Sequence, residues 1–174
     1  EKGMPILVMK DIKQDEVGTG MLFAQVVPAK GVQPYAVKTL AGVVAQLGHP
    51  EIVLKSDGEP SIVALKEAAK RERMERIVLE TSPVKKSKSN RAIEAAVQQV
   101  QGQFRVMKDA LETRIGMRLK PTSTIIPWIV AHAAKTINRH QVDKDGKTAY
   151  RRWKGKEFRR ETTEIGETVL YLSL

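Results

Sequence analysis

The sequence has no cysteine, few aromatic residues and no long apolar run, and each absence removes a class of function. Without cysteine among 174 residues there is no disulfide, no thiol nucleophile and no cysteine-bearing zinc site. Aromatic side chains make up 5% of the chain, too few for a platform of stacked bases, so Trp128 and Trp153 read as packing residues. No apolar stretch approaches the roughly 18 residues of a membrane span, and no signal peptide is visible. The histidines His49, His132 and His140 have no close metal-ligand spacing with one another, so all three read as structural. Nor is there a glycine-rich phosphate loop, a Walker pattern or a Ser/His/Asp order.

What the chain has in excess is positive charge. Thirty Lys and Arg against twenty Asp and Glu give a net charge of +10, which favours a polyanionic partner. A merely solubilising basic surface is the plainer alternative. The hydrophobic fraction of 41% fits a globular protein, and the length is enough for one domain with a real core.

Periodicity sets out the elements in order. Pro5 to Lys10 is a near-continuous apolar run, as in a buried strand. Asp11 to Gly20 is polar and reads as a hairpin loop, with Met21 to Val27 as the returning strand. Pro34 opens a helix whose Val37, Leu40, Val44 and Leu47 share a face, and Gly48 stops it. Glu51 to Lys55 is a further strand, and this strand–helix–strand order implies a parallel neighbour. Pro60 opens a second helix with Ile62, Leu65 and Ala69 inward and Lys66, Lys70 and Arg71 outward. Arg76 to Glu80 is a short strand, and Thr81 to Asn90 an exposed basic loop. The longest helix carries Ile93, Val97, Val100, Phe104, Met107, Leu111 and Ile115 as a core stripe and ends at Gly116. A further helix spans about Ser123 to Arg139, followed by the polar, basic segment RRWKGKEFRR and a single strand, Thr168–Leu172.

Two acids stand out against this frame. Asp57 lies just past the strand Ile52-Val53-Leu54, and Glu94 lies at the start of the longest helix, behind the basic loop. Residues 58 through 93, 36 in number, separate them. Two carboxylates on adjacent rigid elements, flanked by cations, suit divalent-metal phosphoryl transfer on nucleic acid. Each also has a plainer reading: Asp-Gly after a strand is ordinary turn chemistry, Asp57 or Glu59 can cap the helix at Pro60, and a first-turn acid complements the helix dipole. Asp11 and Asp15, the acids near the first strand pair, could complete a triad with Asp57 and Glu94.

The segments Ser-Asp-Gly-Glu-Pro (56–60) and Ser-Pro…Ser-x-Ser-Asn-x-Ala-x-Glu (82–94) resemble the second and third parts of the Asp, Asp-35-Glu signature. That signature marks integrase catalytic cores of retroviruses and retrotransposons, and the copia-type polyproteins are the nearer likeness. Thr148 to Lys156 is similar to the Thr-Pro-Tyr-Glu-x-Trp-x-Gly-Lys segment that follows such cores. Arg91 stands where the family has Gly. The resemblance implies an α/β, ribonuclease-H-like mixed sheet flanked by helices, with the first, central strand and its catalytic Asp expected before Glu1. It also implies a core over residues 1–140 and a basic extension over 141–174 leading into a following module.

By the same resemblance, the function is metal-dependent 3′-end processing and strand transfer in DNA integration, inside the nucleus or a cytoplasmic particle. Asp57 and Glu94 would be catalytic and would bind Mg2+ or Mn2+. Lys85, Lys86, Lys88, Asn90 and Arg91, with Gln98 and Gln101 further along the helix, would contact DNA. The expected partners are the element's DNA ends, target DNA and further copies of the chain, with no membrane. Alternative readings are a nucleic-acid-binding remnant without catalysis and another nuclease of the same fold.

Overall fold

The computed structural model describes residues 3–12, 20–72, 76–82 and 87–167, with side chains in the last segment from residue 91 onward. The elements run β1 (Ile6–Lys10), β2 (Leu22–Val26), α1 (Pro34–Leu47), β3 (Glu51–Ser56), α2 (Pro60–Arg71), β4 (Arg76–Thr81), α3 (Ser87–Ile115), α4 (Ile125–His140) and α5 (Ala149–Lys154). They divide into two compact units, Glu1–Met9 with Gln25–Ala96 and Lys10–Ala24 with Val97–Leu174. The expected hairpin loop, Asp15 included, and the expected strand Thr168–Leu172 lie largely or wholly outside the described residues, as do Lys85 and Lys86.

Among the described residues the strands form two sheets, β1 with β2 and β3 with β4. The Asp11 N–H donates to the Met21 carbonyl at 2.8 Å and the Val27 N–H to Pro5 at 2.9 Å, so β1 and β2 run antiparallel. Gly20 is required at the hairpin's end, because a Cβ there would meet the Asp11 carbonyl oxygen at 2.3 Å. β3 and β4 run parallel, from Glu51 opposite Arg76 to Ser56 opposite Thr81. The parallel connection is thus made through α2; β2 and β3, whose intervening helix suggested a parallel pair, belong to different sheets. β1 and β3 each have one strand neighbour among the described residues.

In the first unit, α1 forms where the sequence marks it. Pro34 stands in the first turn, and Gly48, at φ 71°, returns its N–H to Ala45 at 3.1 Å. Its Val37, Leu40 and Val44 pack with Leu65, Ala69 and Ile77 from α2 and β4 into one core, against which Leu7, Met9, Ile52 and Leu54 lie. On the opposite face of β3 and β4, Val53 pairs with Val78 and both stay exposed, between the ion pairs Glu51–Arg76 and Lys55–Glu80.

In the second unit, Ile129 and Val130 of α4 are fully buried, each contributing about 1.5–3 kcal/mol relative to exposure. Val100 and Leu111 carry the buried stripe of α3, whereas Ile115, expected inward, is exposed. The buried Asn138 accepts the Leu22 N–H through Oδ1 at 2.9 Å and donates Nδ2 to the Leu22 carbonyl at 2.7 Å. A side-chain amide therefore takes the place of a neighbouring strand along that residue of β2. Trp128 is not a packing residue: it is exposed and stacks on His132, one helical turn on.

Candidate active site

Asp57 stands in the turn between β3 and α2, both of which are fixed by the first unit's core. Its carboxylate is exposed, and its Oδ1 accepts the Glu59 N–H at 3.3 Å, a side-chain turn of the kind aspartate forms readily. The parallel ladder runs on beside it, the Ser82 N–H reaching the Ser56 carbonyl at 2.8 Å. Neither nearby acid caps α2 through its side chain. Glu59 is engaged elsewhere: Lys30 and the Ser61 hydroxyl both donate to Oε1 at 2.9 Å. The Lys30 bond, then that of Ser61, holds the Glu59 carboxyl below the usual carboxylate range.

Lys66 was expected on the outward face of α2, but it is buried at 4% exposure. Its ammonium donates to the Glu80 carbonyl at 2.7 Å and the Leu54 carbonyl at 3.3 Å, clamping the ends of β4 and β3 together next to Asp57. Burial pushes its pKa down, and the charges of Asp57 and Glu80 pull it back up. Amphipathic spacing does not reveal this residue, since a lysine beside Lys70 and Arg71 reads as solvated. The available signal was its position nine residues past Asp57, in the second turn of a helix packed on that strand.

Glu94 is exposed, and it belongs to the same compact unit as Asp57. It is not in the first turn, as the sequence suggested. α3 begins at Ser87 and has no acid in its first turn, so Glu94 stands about two turns in. Residues 87–90 have taken up the helix that the basic loop was expected to precede. No hydrogen bond or ion pair ties the Glu94 carboxylate to the described side chains, and its place beyond the first turn removes the helix-dipole alternative. Arg91 is exposed on the same helix, and Lys88 and Asn90 lie in its first turn. Gln98 and Gln101 are exposed on α3 within the second unit.

The hard oxygen donors of Asp57 and Glu94 are the right chemistry for Mg2+ or Mn2+. In number they fall short. Among the described residues no group of three His, Cys, Asp or Glu side chains can hold a metal ion. The described side chains therefore do not make a complete metal site.

Neither a family model nor a curated protein sequence matches the chain. In three dimensions it is similar to the crystal structure of the catalytic core domain of BIV integrase. The TM-score is 0.52, and the likeness covers 78% of this chain and 79% of that one at 17% identity. The fold is that of an integrase core. With it come the ribonuclease-H-like architecture and the mixed strand directions seen in β1–β2 and β3–β4. In this chain β3, with Asp57 just past its end, and the start of α3, with Glu94, fall within one unit.

Proposed function

We propose that this chain is the core of a DNA integrase, a metal-dependent polynucleotidyl transferase of a retrotransposon, with Asp57 and Glu94 as two of its catalytic acids. The observation that carries the reading is their shared state. In an integrase-core fold, a strand-end Asp and a helix-borne Glu of one compact unit both present exposed carboxylates that form no salt bridge among the described residues. A divalent metal, when bound, supplies Lewis-acid activation of phosphate and water. The chain's own residues supply two carboxylate donors, and Lys66 fixes the strand ends beside the first of them. Lys85, Lys86, Lys88, Asn90 and Arg91, with Gln98 and Gln101 beyond them, offer contacts to DNA phosphates or base edges. Homo-oligomerisation and action in the nucleus or a cytoplasmic particle complete the proposal.

The test is magnesium- or manganese-dependent joining of a labelled DNA end to a target duplex. Asp57→Asn and Glu94→Gln should each lower the rate by more than about 100-fold, beyond what losing a supporting outer-shell partner costs. Both variants should keep the thermal stability and DNA affinity of the parent. Full joining by either variant sinks the assignment. The donor group, incomplete among the described residues, favours a second reading, a DNA-binding core without catalysis. DNA binding without any joining by the parent chain would select it.

A further inference from the structure

The second unit contains a concave surface that the candidate active site does not use. It is a cavity of about 680 Å3 formed by α5 and the segment after it, lined by Tyr150, Arg151 and Gly155 and by every residue from Lys156 to Arg160. Its frame is pinned. Phe158 receives the Arg139 guanidinium over its ring at 4.3 Å, and the rings of Tyr150 and His140 stand perpendicular to it at centroid distances of 5.4 and 5.9 Å. Arg151 pairs with Glu157 at 2.9 Å, which ties the segment back to α5 and neutralises the only acid in the lining. Lys156, Arg159 and Arg160 remain exposed, and among the described residues none has an acidic partner. Three cations with no acidic partner among the described residues, held around one concavity, repel each other, an arrangement that a polyanion relieves.

We propose that this cavity binds the phosphodiester backbone of duplex DNA, a contact separate from the proposed active-site acids. The choice of DNA rests on the function proposed above; the choice of backbone over bases rests on the aromatic rings. Of the two rings in the lining, Phe158 carries the Arg139 guanidinium over one face and stands perpendicular to Tyr150, so both are engaged with their neighbours. With its rings so engaged and Lys156, Arg159 and Arg160 around it, the cavity reads charge, not sequence.

The experiment is fluorescence anisotropy of the whole chain with a labelled duplex of mixed sequence, over a series of salt concentrations. In the K156Q/R159Q/R160Q variant the slope of log affinity against log salt should fall by about two to three, at roughly 0.9 for each phosphate that is no longer neutralised. Glu157→Gln, which removes the one negative charge, should strengthen binding and steepen the slope. A triple variant with the parent's slope overturns the proposal, as does Glu157→Gln binding no better than the parent. If the triple variant loses its fold by circular dichroism, Glu157→Gln alone decides. Phosphatidylserine vesicles in a sedimentation assay form the other arm, and cavity-dependent binding there, with none to duplex, overturns the DNA assignment. The active-site reading is scored separately. Loss of joining in Asp57→Asn with a normal slope leaves both intact, and a reduced slope in the triple variant without joining by the parent upholds the cavity alone.

Discussion

Asp57-Gly58 and Asp145-Gly146 are alike as sequence, each an Asp-Gly turn a few residues before a helix, α2 in one unit and α5 in the other. They are alike locally too. Each aspartate accepts the backbone N–H two residues on, from Glu59 at 3.3 Å and from Lys147 at 3.1 Å. They part at the cation offered by the following helix. Arg152, on α5, sends Nε to Asp145 Oδ2 at 3.0 Å and Nη2 to Oδ1, and its side chain is only 11% exposed. Lys66, on α2, commits its ammonium to two strand carbonyls instead, and leaves the Asp57 carboxylate in solvent. A forked guanidinium closes an aspartate off, and a lysine spent on backbone keeps one open. The turn motif does not decide whether its carboxylate is bound or left open; the helix behind it does.

The largest expected effects test that contrast directly. Asp57→Asn should abolish metal-dependent joining by the factor given above and leave the melting temperature within a degree or two, whereas Asp145→Asn should do the reverse. Equal losses of stability from both would erase the distinction. Next in size is Lys66→Met, which leaves the Leu54 and Glu80 carbonyls without their buried donor. About 2 kcal/mol of stability should go, by denaturant titration, since an unsatisfied buried acceptor costs about 1–3 kcal/mol. An unchanged denaturation midpoint would mean that the clamp is idle.

Smaller again are the acid-range effects. Hydrogen bonding to Arg152 holds the Asp145 carboxyl below its ordinary 3.8. The folded state thus binds that proton less readily than the unfolded chain. The resulting stability is whole above the unfolded value and drains away as pH falls through the lowered one. In the same unit the buried Glu112, bonded first by Lys108, then by the Leu119 N–H and Arg118, is held down to about 2. Its contribution therefore fades between its ordinary 4.5 and about 2. Glu112→Gln should flatten the acid limb of the stability profile more than Asp145→Asn does, by thermal melts from pH 5 to pH 2. The smallest effect belongs to Glu59→Gln. Its exposed pair with Lys30 is of the kind worth little, and joining should stay within about twofold of the parent.

How much of this was legible in the sequence depended on how local its cause was. α1 was readable because Pro34 and Gly48 mark its ends chemically and its apolar spacing lies wholly between them. β3 and Asp57 were readable from a short apolar run ending in a turn dipeptide. Lys66 was not, because its burial follows from carbonyls on β3 and β4, whose approach no spacing within α2 announces. The early start of α3 was missed because Lys85, Lys86 and Lys88 resemble a solvated loop, and Ser87 as a helix beginner carries little weight inside such a run. α5 was also missed: six residues dominated by cations show no apolar period. Thr148 was the signal, since its side chain accepts the Arg151 N–H at 3.1 Å and caps that helix. Glu94 was found by its distance from Asp57, and its two-turn offset into the helix came from the same missed start.

Asn138 has a use beyond holding α4 to β2. The Leu22 amide proton is sealed by a side chain instead of by a strand, so its exchange with deuterated solvent requires Asn138 to let go. That one proton is a clock for the undocking of α4. Its protection factor, followed by nuclear magnetic resonance, would separate partial openings of the second unit from global unfolding without any mutation.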